Sequence, residues 1–457
     1  MPRKPQFARR SRRPLEKLLP VVLLALAATV GWRLWQRARS PAALLLAGQA
    51  AAREGHLTEA IDYYDRIPAG AGEHAANGRT AAGNLFLRLG QASKAETKYR
   101  EAIEIDPHHV VAHDRLANLL ALEGRRFESL PHFYEVLRGG QCSFEVLLQA
   151  GQHAATVDAP DDLLRYRAAA PDDPAPLIGL ARIAMLKQNF AQAAEMLHQV
   201  VGQAPEYVEA HALLGRVLLE SPGDDGLRAW SASLPPHADW HPDVWAVRGL
   251  WAKRRGQTKA AARAMWEALR RHANHQAATL ELSQLLNALG NSEMAGGLVS
   301  RGAALAEFSA TLELLSKLGA AAVDDDPDRR DELFKRRNGV TLVVRAARQT
   351  ETLGRLWEAW GWNRIALSLG NVDWAPDALR RIEPQLGPSL PPTLPQVDPG
   401  TVLDLSHYPL PDDGAGAEAI AQRSAEASEA IPRFDEVARQ MGIDFTYFCG
   451  REGTNPR

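Results

Sequence analysis

The sequence predicts an all-α chain: an α-solenoid of stacked helical hairpins, with an N-terminal transmembrane helix and a Pro/Gly-rich C-terminal tail. Three observations predict it. Two consecutive stretches between Asn77 and Leu137 carry the same order of small, large and turn residues. Alanine, leucine and arginine are abundant, while alternating β-branched runs are scarce. An uncharged apolar run, Leu18 to Trp32, stands between two clusters of basic residues.

In the first copy Gly83, Phe86, Gly90, Ala95, Tyr99, Ala102 and Pro107 fall in order. About 34 residues on, Ala117, Leu120, Gly124, Ser129, Phe133 and Val136 take the matching places. Two antiparallel helices approach closely only where facing side chains are small, as at Gly83, Ala95 and Ala102. Phe86 and Tyr99 fill the space beside them, Gly90 suits the turn, and Pro107 stops the second helix because it has no amide hydrogen to donate. This order resembles the tetratricopeptide repeat (TPR) family, which implies an all-helical array with a concave face built from the first helix of each hairpin.

Further copies fill residues 42–303. Ala42 to Ile67 keeps the spacing with Gly48, Gly55, Ala60 and Tyr64. Phe144 to Ala170 is helical in pattern but degenerate, and Pro160 bounds its second half. The pattern returns with Leu177, Ala181, Ala184, Ala193, Leu197 and Pro205, and continues through His211, Leu214 and Gly215. Ser221 to Trp240 reads as a shortened second helix plus a loop. Trp245, Gly249, Gly256, Ala261 and Met265 form another copy, and Thr279, Leu282, Gly290 and Ala295 the next. Residues 304–383 read as degenerate hairpins. They include an aspartate-rich break at Asp324 to Asp328 and a hairpin from Thr341 to Leu369 in which Trp357, Trp360 and Trp362 serve as packing residues. Residues 384–432 turn to proline, glycine and aspartate and read as a linker, with one short strand at Val402 to Leu405 and one helix near Ala417 to Ala430.

The two ends of the chain differ from the array. Residues 1–17 are strongly basic, and residues 18–36 are expected to cross a membrane, with Trp32 and Trp35 at the interface. The heavier basic flank comes first, so the expected placement is the bacterial inner membrane, N-terminus cytoplasmic and array exported. A signal cleaved at Ala25-Leu26-Ala27 is the alternative. At the other end, Phe434-Asp435-Glu436-Val437-Ala438 and Met441-Gly442-Ile443-Asp444-Phe445 resemble the opening of bacterial FG-GAP/VCBS proteins of the ASPIC/UnbV type. Residues 433–457 are therefore expected to be the start of a truncated domain of that kind.

Charge is balanced, with 53 Lys and Arg against 55 Asp and Glu, which argues against a general nucleic-acid binder. Cys142 and Cys449 have no metal-ligand spacing. The sequence contains no P-loop, nucleophile elbow, zincin helix or kinase set, so no catalytic residue, cofactor or metal is expected. Asp324, Asp326 and Asp328 open like an EF-hand loop, but Arg329 and Lys335 stand where the turn glycine and closing glutamate are needed. The close pairs His109/His113, His237/His241 and His272/His275 read as surface or inter-helix histidines, because no third ligand accompanies them. What remains is a surface. The TPR resemblance implies concave positions at Thr80, Asn84 and Arg88, at Asp114 and Asn118, and at Arg182 and Arg216. The expected ligand there is a protein or peptide, its backbone met by the asparagines and its carboxylates by the arginines. The chain then reads as a non-catalytic membrane-anchored scaffold. The alternative is the front part of an extracytoplasmic TPR–FG-GAP propeller protein with an adhesive or ligand-binding role.

Overall fold

The computed structural model describes residues 40–151, 160–325, 339–370 and 373–412. All regular structure among them is helical, and no strand is present among the described residues. The expected anchor at 18–36 and the FG-GAP-like stretch at 433–457 lie outside the described residues. Among the described residues, no helix is long and apolar enough to cross a membrane.

The chain divides into two units, one up to Leu116 and one from Ala117 onward. The first holds hairpin α1 (Pro41–Arg53) and α2 (Leu57–Asp65), then hairpin α3 (Glu73–Arg88) and α4 (Ala92–Ile105). Helix α5 (Val110–Leu122) contains the division. The second unit continues with α6 (Arg126–Arg138), α7 (Phe144–Gly151), α8 (Pro160–Ala169), α9 (Ala175–Leu186) and α10 (Phe190–Gln203). Next come α11 (Val208–Leu219), the short α12 (Asp225–Ser233), α13 (Pro242–Arg254), α14 (Thr258–Arg271) and α15 (Gln276–Ala288). The helical part ends with α16 (Ser292–Asp325), α17 (Gly339–Thr352), α18 (Leu356–Leu369), α19 (Ala375–Ile382) and the single turn α20 (Pro399–Val402).

The seam inside each hairpin is the small-against-large contact that the sequence pattern implies. A Cβ placed on Gly83 would lie 2.8 and 3.0 Å from ring atoms of Tyr99. The same holds for Gly48 against Tyr64 at 2.5 Å, Gly215 against Trp230 at 2.8 Å and Gly249 against Met265 at 2.7 Å. Only hydrogen fits between these helices, which lets each large side chain bury fully and hold its hairpin together. Turn positions repeat as well: Gly90 and Gly256 adopt φ of 77° and 74°. In the α9–α10 hairpin this place falls to Gln188 at φ 59°, the only non-glycine residue with positive φ among the described residues. A left-handed side-chain-bearing residue costs roughly 1–2 kcal/mol, offset in part by glycine's greater chain entropy. Gln188→Gly should therefore raise stability by about 0.5–1 kcal/mol; a thermal melt with no gain would show that the turn carries no such strain.

Histidines stitch successive hairpins. Nδ1 of His109 accepts the Ala112 amide at 3.1 Å, and its Nε2 lies 3.0 Å from Asn77 Oδ1. His275 repeats this with the Ala278 amide at 3.0 Å and Asp243 Oδ1 at 2.8 Å. His113 and His211 use Nε2 on the carbonyls of Pro107 and Pro205, at 3.1 and 3.0 Å. These are capping and inter-repeat contacts. Among the described residues, no group of three or more His, Cys, Asp or Glu side chains is placed to hold a metal.

Two stretches differ from the sequence expectation. Helix α16 does not end with its hairpin near residue 303 but runs for 34 residues to Asp325. No proline interrupts it, and Leu305, Phe308, Leu312 and Leu315 keep a helical spacing and are all buried, so the core itself extends the helix. The proline-rich stretch after residue 384 is described as far as Asp412, and there it is a strap packed on helices. The Leu394 amide donates to the Gly354 carbonyl at 2.9 Å, and Trp266 Nε1 donates to the Leu403 carbonyl at 3.0 Å. Arg263 donates to the carbonyls of Leu405 and Ser406, and Leu405 joins the apolar core around Trp245, Met265 and Leu282. The expected strand at Val402 to Leu405 is absent: α20 ends at Val402, and the carbonyls that follow are taken by side chains of α14.

The second unit also turns back on itself. Tyr134 on α6 donates its hydroxyl to Glu358 on α18 at 2.7 Å. Arg355, at the entry to α18, donates to that carboxylate at 2.8 Å and to the Ala150 carbonyl of α7 at 3.2 Å. Gly361 of α18 sits against Leu147 of α7, and Gly151 of α7 against Leu312 and Phe308 of α16. Hairpins from the start and the end of the unit thus share one seam.

Candidate binding cavity

Because the second unit closes in this way, its first helices face a common space. That space is a cavity of about 720 Å³ with walls from α6, α7, α9, α11, α13, α15, α16 and α18. Helical spacing decides what points inward. Arg182, Met185 and Leu186 come from α9, while Glu209, Leu213 and Arg216 come from α11. Leu280 enters from α15 and Phe308 from α16. The remaining wall mixes apolar side chains such as Leu130, Leu219 and Leu250 with polar ones such as Asp243, His272 and Ser309. Leu186 and Leu280 are 57% and 39% exposed, so they present apolar surface to the space.

Two of the acids on this wall, Glu209 and Asp243, are held by histidines, while Glu220 stands exposed at the rim. Glu209 Oε1 accepts the Arg126 amide at 3.0 Å, and Oε2 accepts from His241 Nε2 at 2.8 Å. Asp243 Oδ1 holds His275. His241 is completely buried; burial pushes its pKa down, but the Glu209 carboxylate outweighs that and the net shift is upward. Arg126, Arg182 and Arg216 share the wall with these acids. Burial pushes the Arg126 guanidinium down to about 9, and the neighbouring Arg182 charge pushes the same way while Glu209 opposes it. Arg182 is likewise lowered by burial and by Arg216, against Glu209 and Asp243. Arg126, Arg182 and Arg216 thus line one wall, with Arg182 near enough to disfavour the Arg126 charge and Arg216 near enough to disfavour that of Arg182. Arg216 is exposed.

His272, also on the wall, is fully buried, and burial together with His275 and Arg355 pushes its pKa to about 3. In the unfolded chain it titrates near 6.5. The folded state thus binds fewer protons between these values, and its stability is complete above pH 6.5 and is lost as pH falls toward 3. His272→Gln should flatten the stability profile there by roughly 1.4 kcal/mol per pH unit. Chemical denaturation at several pH values checks this; identical slopes for both proteins would remove His272 as the cause.

The residues singled out in the sequence fall in different places. Arg182 and Arg216 come together in the cavity. Thr80 is only 4% exposed and donates its hydroxyl to the Ala76 carbonyl at 2.8 Å, so it faces its own helix. Asn84 accepts the Tyr99 hydroxyl at 2.8 Å, which makes it part of a hairpin seam. Arg88 and Asn118 are exposed and Asp114 is half-buried; none of the three lines the cavity. Sequence reasoning missed Arg126 and Arg355. A partial signal was available for Arg355 alone: Gly124-Arg125-Arg126-Phe127-Glu128 and Gly354-Arg355-Leu356-Trp357-Glu358 share one pattern, turn glycine, arginine, and glutamate three residues later, which in the first stretch marks Arg125 and not Arg126. In both, that arginine pairs with that glutamate, at 2.8 Å for Arg125 and 2.6 Å for Arg355.

No family model matches the sequence, and no curated protein matches it. Among solved structures, the chain is similar to YrrB, a TPR protein with an unusual peptide-binding site, at 16% identity over 39% of this chain and 94% of that one, TM-score 0.25. It is similar to a tetratricopeptide repeat protein from Parabacteroides merdae ATCC 43184 at 14% identity over 54% of this chain and 99% of that one, TM-score 0.27. It is also similar to a chain of the APC/C hetero-tetramer Cut9-Hcn1 at 14% identity over 88% of this chain and 83% of that one, TM-score 0.31.

Proposed function

We propose that this helical-hairpin array is a non-catalytic scaffold that holds protein or peptide partners on the exposed faces of its first helices. The observation that carries the reading is the disposition of those faces. On the first unit Arg88 stands exposed at the end of α3; on the second, Asn118 is exposed on α5, and Arg216, Leu186 and Leu280 border the cavity. Exposed cations beside exposed leucines are what a partner with carboxylates and apolar side chains meets best. A crosslinking pull-down from membranes, repeated with Arg88→Ala and Asn118→Ala, tests it: loss of partners is expected, and an unchanged partner list would sink the assignment.

The scaffold reading includes its placement. The basic residues 1–17 and the apolar run at 18–36 support a single-pass anchor in a bacterial inner membrane, with the array outside the cytoplasm. A reporter fused after Arg457 should be active only outside the cytoplasm; cytoplasmic activity would reverse the orientation. The stretch from Phe434 to Phe445 supports a second reading, in which the array fronts an extracytoplasmic FG-GAP propeller. Downstream coding sequence with aspartate-rich repeats would favour it.

A further inference from the structure

We infer that the cavity of the second unit binds a compact amphipathic anion. One oxyanion head sits on the guanidiniums of Arg182 and Arg216, and an apolar body lies against Leu186 and Leu280. The scaffold reading shares Arg216, Leu186 and Leu280 with this one, but its test residues Arg88 and Asn118 lie outside the cavity, so the two can fail separately.

Size is the first argument. A volume near 720 Å³ falls in the range of roughly 300–1,000 Å³ that small ligands occupy. The wall limits it too, because α6 and α7 meet α16 and α18 instead of leaving an open groove.

Charge is the second argument. Arg126, Arg182 and Arg216 come from three helices to one wall, where the Arg182 charge lowers the Arg126 pKa and the Arg216 charge lowers that of Arg182. Glu209 and Asp243 oppose those shifts, and each also holds a histidine. Glu220 lies at the exposed rim. An anion placed between Arg182 and Arg216 relieves the mutual repulsion and accepts paired N–H donors, which is what guanidinium geometry favours.

Apolar surface is the third. Leucines that face a space while 39% and 57% exposed are covered best by an apolar body. An extended peptide would instead need amide side chains along the wall to meet its backbone. Asn274, the best placed, is engaged at both ends: its amide donates to Thr393 at 2.9 Å and its oxygen accepts from Arg301 at 2.8 Å. Only Gln188 and Gln276 remain as amides on the wall.

Calorimetric titration of the full chain with decanoate, decyl phosphate, decanol and acetate tests the inference. Decanoate or decyl phosphate should saturate one site, and the tighter of the two identifies the head as carboxylate or phosphate. Decanol and acetate, each lacking one half of the chemistry, should bind at least tenfold more weakly. Arg216→Glu and Leu280→Asp, both at exposed positions, should each weaken the preferred amphipath at least tenfold while leaving the melting temperature in place. Arg88→Glu should leave binding unchanged. Absence of saturable binding, equal binding of decanol, or an affinity indifferent to Arg216→Glu would overturn it. Enrichment of random heptapeptides that depends on Arg216, with no amphipath bound, would also overturn it and leave the scaffold reading standing.

Discussion

Replacing Glu358 by alanine should cost the second unit roughly 3–5 kcal/mol. Its carboxylate is completely buried and accepts from both Tyr134 and Arg355. Removing it leaves the Arg355 guanidinium, itself 4% exposed, inside the protein without its counter-charge. Burial alone would lower the Arg355 pKa, yet Glu358 holds it above the ordinary value, so this carboxylate is what keeps the cation tolerable there. The melting temperature should fall by on the order of 10 °C. Tyr134→Phe, which removes one hydrogen bond and leaves the ion pair, should cost only about 1–2 kcal/mol. Equal losses for the two variants would mean that packing, and not charge compensation, dominates this seam.

Tyr99→Ala should cost the first unit about 3–5 kcal/mol. The ring is fully buried against Gly83, and its hydroxyl is held by Asn84. The change opens a void and leaves the Asn84 oxygen without that donor. Gly83→Ala drives a methyl into the same ring and should cost about 1–3 kcal/mol. The two are neighbours, so they should not add: Gly83→Ala combined with Tyr99→Leu should recover stability relative to Gly83→Ala alone. Denaturant titration of the parent, Gly83→Ala, Tyr99→Leu and the double variant decides it, and strict additivity would show that the two residues do not share the seam.

The hairpins were legible because their constraint is local. Gly83 and Tyr99, or Gly249 and Met265, announce themselves at a fixed spacing, since a close helix crossing needs one small and one large partner wherever it occurs. The short α12 and the 3-10 turn Pro236–Trp240 were legible for the complementary reason: prolines at 222, 235 and 236 limit how long a helix can be. The cavity was only half legible. Arg182 and Arg216 follow from repeat register, but Arg126 and Arg355 enter the same wall because α6 and α18 meet, and no local pattern encodes that meeting. Thr80 and Asn84 are engaged within their own hairpin for a different reason. A threonine inside a helix can satisfy its hydroxyl on the carbonyl four residues back, and an asparagine beside a buried tyrosine is claimed by the phenol. The strap was misread from composition: proline and glycine disfavour a helix, but they do not prevent an extended chain from docking where Trp266 and Arg263 supply donors to its carbonyls.

The seam between α6 and α18 joins residues 224 apart in the chain. Hairpin arrays ordinarily assemble by adding each unit to its neighbour, so folding can begin at many points and spread. Here the last bond waits for both ends of the second unit, and the entropy of bringing distant segments together falls on that one step. Refolding of the second unit should therefore show a fast growth of helix followed by a slower closure, and a ribosome must release residue 358 before Tyr134 finds its acceptor.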